Sequence, residues 1–117
     1  MSDPRLKLSV TGAISGDQRL STVIQAAHQV LLDSLGISRE EVREDWSLEK
    51  DSNGRPLVRL RLSDSYVKDG VQDEFAPDDF ENSREMRYRL HRLWGDLLQD
   101  RSHIMLKNLR EGDGNGP

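Results

Sequence analysis

The chain has 117 residues and a mass of 13.4 kDa, room for one compact domain around one hydrophobic core. Its apolar fraction of 34% and charged fraction of 32% fall into periodic segments, unlike a disordered chain, and the formal net charge is −4. With no cysteine, disulfides, thiolate catalysis and Cys-based zinc sites are excluded; with no apolar run long enough for a signal peptide or a bilayer span, a cytoplasmic protein is expected.

Arg5 to Val10 alternate polar and apolar, placing Leu6, Leu8 and Val10 on one side of a half-buried strand. Thr11 to Gly16 reads as a small-residue loop, and Asp17 as the cap of a helix reaching about Leu35. Along that helix Leu20, Val23, Ile24, Ala27, Val30, Leu31 and Leu35 form one apolar stripe. Gly36 and Ile37 suit a left-handed helix end, and Ser38-Arg-Glu-Glu41 has the form of a capping box, predicting a short helix over 39–43. Trp46–Lys50 and Leu57–Leu62 read as strands joined by a hairpin turn at Asn53-Gly54.

Residues 64–85 are acidic, with eight carboxylates against Lys68 and Arg84, and interleave Tyr66, Val71, Phe75 and Phe80. Asn82 or Ser83 then caps a long helix with Met86, Leu90, Leu93, Trp94, Leu97, Ile104 and Met105 on one face. Arg101 falls inside that stripe. It must either find an acid, for which the acidic segment is the obvious source, or turn to solvent at a helix break near residues 100–102. Residues 1–110 are expected to form a single domain and 111–117 a disordered, Gly-rich tail.

The resulting order is β-α-(short α)-β-β-α. It implies an α+β fold: a small antiparallel sheet of about three strands, covered on one face by two main helices.

Several chemistries fail on spacing. Glu49, Asp51, Asn53 and Gly54 imitate half of an EF-hand loop, but the required closing carboxylate is replaced by Leu60. Thr11–Gly16 lacks the lysine of a phosphate-binding loop and is followed by Asp17. His28, His91 and His103 are scattered, with no nucleophile elbow and no zinc spacing. Asp73-Glu74 and Asp78-Asp79 supply oxygen ligands of the kind Mg²⁺ and Mn²⁺ prefer, but an acidic connector is the favoured reading and no cofactor or metal is expected.

The element order is also that of a type I KH domain, whose RNA clamp is a Gly-x-x-Gly loop between its helices. Here that junction reads Leu35-Gly-Ile-Ser38, without the second glycine, and the net charge of −4 opposes nucleic-acid affinity. An RNA-binding module with a degenerate clamp is therefore the alternative. The primary expectation is a small non-enzymatic protein-binding domain, an adaptor, inhibitor or subunit, whose partner presents a basic surface. Its contact residues are expected in the acidic segment: Tyr66, Val71, Asp73, Glu74, Phe75, Asp78, Asp79 and Phe80. Phe75 and Phe80 either pin that segment to the core, the favoured reading, or anchor the partner. The long helix and the sheet edges also offer surfaces for homodimerisation.

Overall fold

The computed structural model describes residues 5–35 and 41–114. In chain order it contains β1 (Leu6–Val10), a single turn α1 (Gly12–Ser15), α2 (Gln18–Leu35), β2 (Val42–Lys50), β3 (Pro56–Ser63) and β4 (Val71–Phe75). A 3₁₀ turn over Pro77–Glu81 then leads into α3 (Ser83–Gly114). The class is α+β, but the sheet has four strands rather than three and is mixed. β1 pairs parallel with β2, whereas β2, β3 and β4 form an antiparallel meander. The parallel pair follows from its connection, because α2 carries the chain back along the sheet before β2 begins.

Three expectations about element order need correction. The loop at 11–16 closes into α1, which buries Ile14. The short helix expected over 39–43 is not what Val42 and Arg43 form, since they pair with Leu6 and Lys7 in the β1–β2 ladder. At Val42 and Arg43 the hydrogen bonds that β1 offers decide the backbone. Gly36 to Glu40, including the expected helix end, lie outside the described residues. Finally, Val71–Phe75, expected within a connector, is the edge strand β4.

The helix starts follow the sequence closely. Asp17 Oδ1 accepts the Leu20 amide at 3.1 Å, and Asn82 Oδ1 accepts that of Glu85 at 3.1 Å. The β2–β3 turn is longer than the Asn-Gly pair alone implies. Only Gly54 has positive φ, and Asp51 Oδ1 accepts the amides of Asn53 (2.8 Å) and Arg55 (2.9 Å). α3 runs without a break through residues 100–102 and on to Gly114, so the first part of the expected tail is helical.

All of this closes one core. Val42 and Trp46 of β2, Val58, Leu60 and Leu62 of β3 and Phe75 of β4 point to the same side of the sheet. They pack with Ile24, Ala27 and Leu31 of α2 and with Met86, Leu90, Leu93, Trp94 and Leu97 of α3. Among the described residues, no helix covers the opposite sheet face. It is a mosaic of charges in which Arg59 lies between Glu49 (3.6 Å) and Glu74 (3.5 Å), flanked by exposed Arg43 and Arg61. No helix of the described residues is long and apolar enough to cross a membrane.

Candidate functional site

The acidic segment is built into the fold at both ends. At its start, the turn from β3 to β4 is organised by Asp64, which is buried. Its Oδ1 accepts the amides of Tyr66 (2.9 Å) and Val67 (2.7 Å), and its Oδ2 accepts Nε of Arg101 at 2.6 Å. Arg101 is therefore buried and paired rather than turned to solvent, which is why α3 needs no break there. The turn ends at Gly70, whose φ of 77° suits glycine. A Cβ there would stand 2.6 Å from the carbonyl oxygen of Leu62, so the close approach of the two strands also requires its absence.

At the far end, Arg89 of α3 gathers the carboxylates. Its Nε and Nη2 bind both oxygens of Asp73 (3.1 and 2.9 Å), Nη1 reaches Asp79 (3.2 Å), and Nη2 also donates to the carbonyl oxygen of Glu74 (2.7 Å). Burial works against the Arg89 charge, but the hydrogen bonds and charges of Asp73 and then Asp79 outweigh it, raising its pKa above the ordinary value. Asp79 additionally accepts the Ala76 amide at 2.8 Å and so fixes the 3₁₀ turn. Of the four carboxylates that suggested metal ligation, Asp73 and Asp79 are thus engaged by Arg89. Among the described residues no group of three or more His, Asp or Glu could hold a metal ion.

The expected contact residues divide accordingly. Phe75 is fully buried against Trp46 and Phe80, with its ring 4.3 Å beneath the Arg89 guanidinium, and presents nothing to a partner in this fold. Phe80, Tyr66 and Val71 are half-buried and pack on the core. Asp73 and Asp79 serve Arg89, and Glu74 lies beside Arg59. Asp78 alone of the eight is exposed. The aromatic residues pin the segment, the favoured of the two readings.

A second polar group escaped the sequence reading. Glu44 lies in the inward phase of β2, between Val42 and Trp46, and is completely buried. Its Oε2 accepts the indole Nε1–H of Trp46 at 2.5 Å, and its Oε1 meets Nδ1 of His28, itself buried on α2, at 2.6 Å. Burial holds the Glu44 carboxyl above its ordinary pKa of 4.5, although the hydrogen bonds from Trp46 and His28 pull the other way. The legible signal was a carboxylate in the apolar phase of an alternating strand.

This group makes stability depend on pH in a definite sense. The folded state binds the Glu44 proton more tightly than the unfolded chain, so its contribution is complete below pH 4.5 and is lost as pH rises through the elevated folded-state value. Each pH unit in that window costs up to about 1.4 kcal/mol for one proton. Glu44→Gln keeps the shape but cannot titrate. Relative to wild type, its urea midpoint should therefore improve steadily as pH rises above 4.5. Parallel pH profiles for the two proteins would show that the carboxyl is not held protonated by burial.

The remaining feature is the outer face of α3. Met105, expected in the core stripe, is 46% exposed, and it stands with exposed Leu98, Leu106 and Leu109. Counting about 100° per residue, Tyr88, His91, Gly95, Leu98, Gln99, Ser102, Met105, Leu106 and Leu109 share one strip of about 120°. From Tyr88 to Arg110 that strip contains no Asp, Glu, Lys or Arg, although the chain as a whole is 32% charged. The helix is 32 residues long, about 48 Å, whereas the longest strand, β2, spans about 30 Å. Its C-terminal part therefore projects past the sheet and carries apolar side chains into solvent.

The chain matches no protein-family model, and neither the curated proteins nor the solved structures yield a match.

Proposed function

We propose that this chain is a small non-enzymatic protein-binding domain, a subunit or adaptor, that docks through the outer face of α3. The reading is carried by the uncharged strip with Leu98, Met105, Leu106 and Leu109 exposed along a projecting helix. A contiguous apolar strip without charge is the composition of an interface core, and left in water it invites aggregation. The apolar anchors thus pass from Phe75 and Phe80 to α3. The acidic segment keeps an electrostatic part: exposed Asp78, with Asp69 and Glu85, would speed encounter with a basic surface.

The RNA-binding alternative rested on an element order with two strands before the long helix, whereas the fold has three there, in the order β-α-α-β-β-β-α. The arginines of the open sheet face alternate with Asp45, Glu49 and Glu74, which leaves no continuous basic stripe for phosphates.

The test places a photo-reactive amino acid at Met105, or at Arg61 on the open sheet face as a control, in the native cell. Protein adducts should form from position 105 and not from 61. Labelling that is absent at 105, or equal at both positions, removes the reading.

A further inference from the structure

The strip on α3 has the spacing of a helix-pairing seam. Leu98, Ser102, Met105 and Leu109 succeed one another at steps of four, three and four, the heptad rhythm by which one helix lies along another. All four are exposed. The core residues Leu93, Leu97 and Arg101 occupy a different face, so a partner helix on the strip would leave the domain interior untouched.

We propose that this seam binds a second copy of the same chain, forming a symmetric dimer of antiparallel α3 helices. This deepens the protein-binding reading and rests on it. With the twofold axis between His103 and Ile104, Leu98 of one copy faces Leu109 of the other, and Ser102 faces Met105. Each layer joins two residues already exposed, and the small Ser102 accommodates the long, adaptable Met105. The strip brings no Asp, Glu, Lys or Arg into contact, so like charges do not meet at the seam. This matters because self-association opposes identical groups.

The area is sufficient for a weak dimer. The exposed parts of Leu98, Met105, Leu106 and Leu109, with the polar residues between them, offer roughly 500 Å² per copy, about the 1,000 Å² in total that a specific interface requires. An interface at the low end of the specific size range belongs to the weak, transient class. The projecting end of α3 lets two domains lie at opposite ends of the helix pair.

Sedimentation of the purified full chain from about 1 to about 300 μM reads the equilibrium directly. The mass should rise from 13.4 kDa toward twice that value. Met105→Asp/Leu109→Asp should stay monomeric throughout with a dilute-solution Tm within a few degrees of wild type, because neither residue is in the core. The chain has no cysteine, so orientation can be read from introduced ones. Mixed Leu98→Cys and Leu109→Cys chains should oxidise to the heterodisulfide in preference to Leu98→Cys with itself.

A wild-type chain monomeric at every concentration overturns the dimer, as does a double aspartate variant that still associates. Preferential disulfides between two Leu98→Cys chains overturn the antiparallel register. A monomeric chain whose position 105 labels a different protein in cells ends this inference while leaving the protein-binding reading intact. Absence of both self-association and labelling ends both.

Discussion

Replacing Asp64 with alanine is expected to cost about 4–6 kcal/mol, comparable to the lower end of the about 5–15 kcal/mol that holds a domain folded. Two losses combine. The Arg101 guanidinium would stay buried without the carboxylate that its Nε now contacts at 2.6 Å, and an uncompensated buried charge alone costs about 3–5 kcal/mol. The amides of Tyr66 and Val67 would also lose their acceptor, adding about 1 kcal/mol or more. Arg101→Met should cost less, because Asp64 would still accept both amides and the methionine stem would fill much of the same volume. Urea unfolding of the two variants and their combination gives the coupling energy. A loss under about 1 kcal/mol for Asp64→Ala would mean that the pair behaves as a solvated surface bridge.

The same pair shows where the sequence stops being informative. That α3 starts at Asn82 and α2 at Asp17 is written locally, since a capping side chain acts within its own turn. The inward phases of β1, β3 and α2 are equally local, set by periods of two and 3.6 residues. Whether α3 survives Arg101 is not local, because the answer lies in a carboxylate 37 positions earlier. β4 was hidden for a related reason. Asp73 and Glu74 are poor strand residues, and Asp73 occupies the inward phase only because Arg89, 16 positions onward, folds back over it.

Glu44 follows the same rule, tolerable in the core only through the indole of Trp46 and the ring of His28. Strand partnership is not encoded in period at all: the alternation of β1 predicts a half-buried strand without saying that its neighbour is parallel. The candidate surface on α3 was half legible. Its residues can be counted, but periodicity places Met105 inward and cannot show that the helix outruns the sheet that would cover it.

Phe75→Ala is the second large effect, expected near 4 kcal/mol. Truncating a fully buried phenylalanine costs about 3–5 kcal/mol through lost transfer energy and the cavity left behind. The ring is also the hub of an aromatic cluster, 6.2 Å from Trp46 and 5.6 Å from Phe80 in tilted arrangements. It further supports the Arg89 guanidinium, whose carbon lies 4.3 Å from the ring centroid while its nitrogens hold Asp73 and Asp79. Losing the platform should loosen β4 from its edge and free the carboxylates that Arg89 gathers. Each kcal/mol shifts Tm by about 3–6 °C in a domain of this length, so the melting point should fall by roughly 15 °C.

Phe80→Ala, at a half-buried position, should lose less than half as much. Hydrogen exchange in Phe75→Ala should rise first at the amides of β4 and the 3₁₀ turn, before those of β2. An unchanged melting point would detach the segment from the core and return Phe75 to the surface, where a partner could use it. The buried ring and the exposed α3 strip thus make opposite demands on experiment: substitutions at the first should change folding, and substitutions at the second should change association alone.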